Sequence, residues 1–253
     1  MRLTKVLAVS ALAAAAMTAG AKACEIVHAL DFKAEDGGYE ISLNGVLVLA
    51  DATDSQKSGL LSFNDWLVGG ENEIAISYAP NGSGEAVFNL VKDCRGAYPE
   101  GPPEAVAAFS GGGEKRLSFV SDAPPPQSYD KAAPTDDAGL KEAVKRLADA
   151  VAAKDIDAIL EMHAPMIADA AADGVTPEDF AGRFGFFVGE GEAEITPVAT
   201  TTPAFGGAVW QAFNEAKQAP IALKVEKNGA RLRFSTGAYW ARIDGEWGIV
   251  RTN

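Results

Sequence analysis

The sequence predicts two domains, an all-β antiparallel sandwich followed by an α+β domain. Short apolar segments separated by Asn-Gly and Gly-rich turns occupy residues 24–120, which is typical of antiparallel sheets. After residue 139 the apolar spacing changes to the period of an amphipathic helix. Residues 121–138, which contain several prolines, lie between the two patterns and predict a semi-rigid linker.

Residues 1–23 are typical of an export signal. Arg2 and Lys5 precede an alanine-rich apolar run, and Ala21-Lys22-Ala23 fits a small-x-small cleavage site. The apolar run is short for a transmembrane anchor. Lys22, within the cleavage site, disfavours a lipoprotein signal. We therefore expect an exported protein, periplasmic or secreted, that begins at Cys24. A lipid anchor on Cys24 is the less favoured alternative.

The chain contains two cysteines, Cys24 and Cys94. Because exported proteins meet an oxidising compartment, we expect these residues to form a disulfide. A catalytic thiol is disfavoured, since the chain has no C-x-x-C pair and only two histidines that could activate a thiolate.

The formal net charge is −13 at pH 7, and removal of the signal would make it more negative. Binding to phosphates is driven by clustered lysine and arginine, so nucleic acid is not an expected partner. No second apolar run is long enough to cross a membrane, and we expect no transmembrane segment in the mature form. No motif indicates a cofactor or a metal site.

The predicted sandwich contains an Asn44-Gly45 hairpin and, between residues 72 and 91, a strand, a Gly-rich hairpin and a strand. The short aromatic turn around Trp66, followed by a G-x-N-x-I sequence, resembles exported Ig-like or jelly-roll modules. Carbohydrate modules of such folds bind through exposed aromatics, which makes Trp66, Tyr78 and Tyr98 candidates. The favoured interpretation of Trp66 is that it plugs the end of the sandwich.

The second domain opens with helices and closes with hairpins. Asp155 and Thr176 are predicted N-caps, and the latter precedes a proline at the first helical position. Residues 205–218 fit either a helix or a strand. Asn228-Gly229 and Asp244-Gly245 predict two-residue turns, with Gly237 as a bulge in one bent strand of a three-stranded meander. The expected pairs are Leu223–Phe234, Val225–Leu232, Tyr239–Val250, Trp240–Ile249 and Arg242–Trp247.

Three segments of this domain carry a resemblance: "AAKDIDAIL" between two helices, "TPEDF" opening a third, and the closing "YWARIDGEWGIVR". Together they resemble the NTF2-like superfamily, also called ketosteroid isomerase-like or cystatin-like α+β, over about residues 139–253. The resemblance implies a curved sheet wrapped around helices with a cone-shaped pocket. Members include isomerases, dehydratases, scaffolds and domains without activity, so the fold leaves the function open.

Such a cone would hold a small apolar ligand against aromatic side chains. The candidate ligand-binding residues are Trp210, Phe213, Tyr239, Trp240 and His163. Core packing, or a homodimer through the C-terminal sheet, is the alternative explanation for the aromatics. A hydrogen-bonded core position is the alternative for the histidine. No catalytic residues could be assigned.

These observations favour a non-catalytic exported protein that binds a small apolar ligand or a protein partner. One alternative is an isomerase or dehydratase acting in the cone, which a buried carboxylate beside Tyr239 would support and a cone filled by aromatic side chains would exclude. The other is a carbohydrate-binding protein of the cell envelope. Burial of Trp66, Tyr78 and Tyr98 would count against it.

Overall fold

The computed structural model describes residues 25–51, 57–95, 104–124, 126–171, 174–227 and 229–252. These residues form four open antiparallel sheets and four α-helices. The predicted export signal, Cys24 and Tyr98 lie outside the described residues. We refer to residues 25–121 as the N-terminal part and to residues 139–252 as the C-terminal part.

The N-terminal part contains two four-stranded sheets, of order β4-β1-β6-β7 and β3-β2-β5-β8. Their strands are β1 (Glu25–Ala34), β2 (Gly37–Leu43), β3 (Val46–Asp51), β4 (Lys57–Ser62), β5 (Gly70–Pro80), β6 (Ala86–Arg95), β7 (Glu104–Ser110) and β8 (Gly113–Ser121). Alternate side chains of both sheets enter one core, in which the Phe88 ring lies 6.4 Å from that of Tyr39 and 6.5 Å from that of Tyr78. The predicted antiparallel strands are confirmed.

The connection between β5 and β6 differs from the prediction. Residues 72–91 were expected to form a hairpin, but β5 and β6 belong to different sheets. The connecting loop is held on the β1–β2 turn, where the Asn81 amide donates to the Asp36 carbonyl over 2.6 Å. Gly84 fits there because a Cβ would lie 2.4 Å from that same carbonyl oxygen. The loop therefore carries the chain from one sheet to the other.

Two features of these sheets follow from local sequence. Asn44 and Gly45 have φ angles of 50° and 81°, as a type I′ turn requires, and this predicted hairpin is confirmed. The β1–β6 ladder places Ile26 opposite Cys94, so the start of β1 lies beside the end of β6. The Cys24–Cys94 disulfide stays a prediction, since Cys24 is outside the described residues.

The segment between the two parts packs against both. It contains a 3-10 turn, Ser128–Lys131, in which Tyr129 is only 4% exposed. The Tyr129 ring stacks on Trp66 of the N-terminal part at 5.7 Å and on Phe205 of the C-terminal part at 5.3 Å. The expectation of a plain spacer overlooked this ring, whose burial removes apolar surface from water. The boundaries of the linker stay a prediction.

Four helices follow: α1 (Leu140–Ala153), α2 (Ile156–Met162), α3 (Ala164–Ala171) and α4 (Pro177–Glu190). The side chain of Asp155 accepts a hydrogen bond from the Ala158 amide, and Thr176 and Asp179 cap each other reciprocally at the start of α4. Both predicted N-caps are confirmed. Among the described residues, no helix is long and apolar enough to span a membrane.

The C-terminal part contains a three-stranded sheet of order β13-β12-β9 and a four-stranded sheet of order β10-β11-β14-β15. Their strands are β9 (Glu192–Ile195), β10 (Thr200–Ala204), β11 (Val209–Phe213), β12 (Ile221–Lys227), β13 (Ala230–Thr236), β14 (Tyr239–Ile243) and β15 (Glu246–Arg251). Residues 205–218, left open by the sequence, form a 3-10 turn, β11 and a further turn.

The predicted three-stranded meander is wrong, because its two hairpins lie in different sheets. The chain turns at Gly237, whose φ of 80° ends β13 before β14 begins. Four of the five predicted pairs are confirmed, and the exception is Tyr239, which pairs with Arg251. A register shift between Tyr239 and Trp240 moves that one pair.

Candidate functional site

The two parts meet at four aromatic rings, which we call the aromatic joint: Trp66, Tyr129, Phe205 and Tyr239. The Trp66 ring lies at the centre, 5.0 Å from Tyr239 and 6.2 Å from Phe205. It is 6% exposed, so it serves as core, as the favoured interpretation expected. Aromatic clusters of this kind stabilise a contact by apolar burial and by ring–ring geometry.

A polar clamp lies beside the aromatic joint. Gln211 of β11 donates from Nε2 to the Leu47 carbonyl and accepts from the Leu47 amide, both over 3.2 Å. The Tyr239 hydroxyl donates to the same carbonyl over 2.8 Å. Leu47 lies on β3, an edge strand, so these side chains satisfy backbone groups that have no neighbouring strand. The clamp fixes the C-terminal part against one defined edge.

A partly buried ion pair anchors the linker turn on the C-terminal part. Arg251 Nη1 lies 3.0 Å from Asp169 Oδ2, and the side chains are 12% and 10% exposed. Asp169 also accepts from the amide of Ser128 over 2.8 Å, which ties α3 to the turn. A second guanidinium nitrogen, Nη2, donates to the Gln127 side chain. The arrangement is a structural cross-link between three segments.

His163 lies inside the C-terminal part with no exposed surface. Its Nδ1 lies 2.7 Å from the Ile159 carbonyl, which can only accept, so Nδ1 carries the proton. Nε2, 2.7 Å from Thr236 Oγ1, then accepts from the hydroxyl. Burial lowers the pKa of His163 to about 4, opposed by the Ile159 hydrogen bond. The ring is neutral, with both nitrogens paired.

The five predicted ligand-binding residues are divided between two cores. Trp240 is fully buried in the core that contains the helix side chains, while Phe213 and Tyr239 belong to the core that contains Trp66. Trp210 pairs with Trp240 across β11 and β14, and its indole donates to the Thr135 carbonyl of the linker over 3.1 Å. Their role in binding stays a prediction.

The space between α4 and β13, where a cone would open, contains aromatic rings. The Phe184 ring lies 4.6 Å from that of His163 and 5.2 Å from that of Phe234, and the latter is 5.5 Å from Phe187. These rings pack against one another between α4 and β13. On the opposite face of β14, Trp66 and Leu47 contact Tyr239, and the homodimer through the C-terminal sheet stays a prediction.

A cleft of about 260 Å³ lies where the two parts face each other. The sequence analysis did not predict its lining residues as a site. The outer faces of β2 and β5 form its floor, and the turn after β11 overhangs it. Polar and small residues line it, among them Gly38, Glu40, Asp51, Ser77, Glu215 and Lys217. Two of these lining residues, Lys217 and Glu40, form an ion pair between positions 177 residues apart in the chain.

The overhanging turn is built by Asn214. Its Oδ1 accepts from the amides of Ala216 and Gln218, both over 3.0 Å, and its Nδ2 donates to Thr196. Lys217 follows with a φ of 56°, a left-handed conformation that a non-glycine residue seldom adopts. The turn thus places the Lys217 backbone rigidly above the cleft. An Asn-initiated turn is the only sequence signal that could have located it.

The titratable groups around the cleft include one with a displaced pKa. Burial, and then the nearby Asp51 carboxylate, raise the pKa of Tyr39 to about 12. Asp51 is also 3.4 Å from the Lys57 ammonium. Among the residues that the structure describes, no group of three or more His, Cys, Asp or Glu could hold a metal ion.

Comparison of the chain with protein-family models, with curated proteins and with solved structures gave no significant match. The functional assignment therefore depends on the geometry of the molecule.

Proposed function

We propose that this chain is an exported, non-catalytic binding protein in which a small polar ligand occupies the cleft between the two parts. In this proposal an Ig-like or jelly-roll sandwich, residues 24–120, is joined to an NTF2-like domain, residues 139–253. The cleft carries the proposal, because it combines open volume with charged groups from both parts. Ligand sites commonly lie where two structural units meet.

The rigid contact between the parts supports a preformed site. Aromatic stacking, the Gln211–Leu47 clamp and the Arg251–Asp169 pair leave the cleft walls little freedom to separate. Binding to such a site needs little ordering of the protein, so less of the interaction free energy is lost to conformational entropy.

Several observations favour this function over the two alternatives. Both ring nitrogens of His163 are hydrogen-bonded within the protein, and the Phe184 ring packs on this imidazole, which counts against an acid–base role for His163. Tyr78 is 1% exposed and Trp66 6%, which counts against carbohydrate stacking by either ring. Tyr98 lies outside the described residues.

The experiment compares cleft-filling and control variants. Ala79 lines the cleft on β5 and is exposed, whereas Ala108 is exposed on β7 of the other sheet. Protein purified from the periplasm without denaturation is examined by native mass spectrometry. We expect a small molecule on the wild type and on Ala108→Trp, and its loss from Ala79→Trp. A wild type without any bound mass, or an equal bound mass on both variants, would refute the proposal.

A further inference from the structure

We propose that the outer edge of β4 is a self-association surface, to which a second copy of this chain adds its own β4 in the antiparallel direction. In the sheet of order β4-β1-β6-β7, β4 is an edge strand that pairs only with β1 among the described strands. The inference goes beyond the proposed function, since it does not involve the cleft. It also differs from the homodimer through the C-terminal sheet that the sequence predicts.

The ladder between β1 and β4 determines which backbone groups of β4 point outward. At the end of this ladder the Phe63 amide donates to the His28 carbonyl over 2.9 Å. Bonded and non-bonded pairs alternate in an antiparallel ladder, so the other bonded pairs are Leu61–Leu30, Gly59–Phe32 and Lys57–Ala34. Ser58, Leu60 and Ser62 lie between these pairs. Their N–H and C=O groups therefore point away from β1, towards the edge.

The side chains of the same three residues lie on the exposed face of the sheet. Leu60 is 66% exposed, and Ser58 and Ser62 are exposed as well. Residues 58–62 contain no charge, and Lys57, at the start of the strand, lies 3.4 Å from the Asp51 carboxylate. Two copies of a chain with a net charge of −13 repel each other, and a neutral edge adds no like-charge repulsion to their contact.

The other described edge strands differ from β4 in this respect. Edge strands usually carry a charge, a proline, a bulge or a cover that prevents pairing with another chain. Here β8, β9 and β13 contain charged residues, β10 contains a proline, and the ladder of β7 contains a register shift. Gln211 occupies the edge of β3, and α3 packs on β15. Residues 58–62 of β4 carry no such feature.

One register of two β4 strands pairs all the outward groups. With a twofold axis at Leu60, this residue exchanges both backbone hydrogen bonds with Leu60 of the second copy, and Ser58 does the same with Ser62 of the second copy. The two leucine side chains then lie directly opposite each other and form a cross-strand apolar pair. A shift along the strand would leave outward groups without partners. Because this contact is isologous, it closes at two copies and predicts a dimer.

Sedimentation equilibrium tests the proposal. We expect the wild type to show a monomer–dimer equilibrium and Leu60→Lys to dimerise about tenfold more weakly or worse, because two ammonium groups would lie opposite each other across the axis. In the monomer the new lysine pairs with Asp31 of β1. A wild type that remains monomeric up to about 1 mM would overturn the inference.

Val120→Lys is the matched control. Val120 is 75% exposed on another edge strand, β8, and pairs with Glu71, so the substitution also adds a lysine opposite an acid. We expect it to dimerise as the wild type does. Equal dimerisation of Leu60→Lys and Val120→Lys would overturn the role of β4.

Leu232→Lys separates this dimer from one through the C-terminal sheet. Leu232 is 42% exposed on β13, and its substitution should leave the dimer unchanged. A dimer that Leu232→Lys removes and Leu60→Lys retains would assign the contact to the C-terminal sheet and refute the proposal.

Hydrogen exchange of the wild type gives a test that does not depend on the folding of a variant. The amides of Ser58, Leu60 and Ser62 point outward in the monomer and should become protected as the protein concentration rises. The amides of Gly59 and Leu61, which face β1, should change little. If the protein dimerises while exchange at the three outward amides stays independent of concentration, the contact lies elsewhere and the inference fails.

Discussion

The side-chain amide of Gln211 pairs with both backbone groups of Leu47, 164 residues earlier in the chain. An amide can do this because its NH₂ group donates and its oxygen accepts in one plane, as the backbone of a neighbouring strand would. Gln211 is 1% exposed, so the pairing takes place away from water. One side chain therefore joins the edge of an N-terminal sheet to the C-terminal part.

Replacing Gln211 by leucine should destabilise the whole molecule. The amide and carbonyl of Leu47 would lose a partner inside a buried contact, at a cost of about 1–3 kcal/mol. Urea unfolding measures the loss. Gln218→Leu is the control, because the Gln218 side chain is exposed and its oxygen accepts a long hydrogen bond, 3.4 Å, from the Arg233 side chain. Equal stability of the two variants would show that the Gln211 clamp contributes nothing.

Removal of the Tyr129 ring should weaken the contact between the two parts. Tyr129→Ala deletes a buried ring that touches Trp66 and Phe205. Truncation of a large buried aromatic side chain lowers the free energy of unfolding by about 3–5 kcal/mol. Tyr129→Phe, the matched control, loses only the hydroxyl bond to the Asp65 carbonyl, worth about 1 kcal/mol. Differential scanning calorimetry should show two separated transitions for Tyr129→Ala and one for Tyr129→Phe. A single unshifted transition for Tyr129→Ala would contradict this account.

The stability of the protein should fall in mild acid because of His163. Its folded pKa, about 4, lies below the unfolded value of 6.5, so the unfolded chain binds protons more readily. The contribution of neutral His163 to the free energy of unfolding is therefore fully present above pH 6.5. About 3 kcal/mol of it is lost as the pH falls towards 4.

His163→Gln removes this titration, and we expect a flatter dependence of the unfolding free energy on pH between 6.5 and 4. Burial also lowers the pKa of His28. The pH dependence that His28 adds to the unfolding free energy should therefore remain in His163→Gln and serves as the internal comparison. Chemical denaturation at a series of pH values provides the measurement. An unchanged slope in His163→Gln would mean that His163 is not the group responsible.

The Arg251–Asp169 pair should show strong coupling in a double-mutant cycle. Asp169→Asn removes the nearer carboxylate from a guanidinium that is 12% exposed and leaves Asp65, 3.8 Å from Nε, as the more distant counter-charge, which costs about 3 kcal/mol. Arg251→Met combined with Asp169→Asn should be less destabilised than the two single effects added together, because neither charge is then left alone. Additive effects would indicate that the two side chains do not act as a pair. Thermal and urea unfolding of the four proteins give the cycle.

Features that depend on a few consecutive residues, such as helix caps and tight turns, were predicted from the sequence. Features that depend on contacts between residues far apart in the chain were not. Asp155 and Thr176 were found as caps because a cap depends on three or four consecutive residues. The Asp244-Gly245 turn was found for the same reason, and both residues have positive φ.

Contacts between residues far apart had no signal of their own. Nothing near Gln211 indicates Leu47, and Tyr129 lies among prolines that suggested a solvated spacer. The residues of the proposed cleft are ordinary surface types, and the Lys217–Glu40 pair arises only when the two parts meet. The aromatic candidates, in contrast, were chosen because large rings dominate both ligand sites and cores, and pattern alone does not separate these two roles.

The central claim is that a small ligand occupies the cleft between the two parts. Native mass spectrometry of Ala79→Trp beside Ala108→Trp tests it most directly, because the two substitutions add the same ring to an exposed strand alanine inside and outside the cleft. The account predicts a bound small molecule on Ala108→Trp and none on Ala79→Trp. The same occupancy on both variants would contradict it.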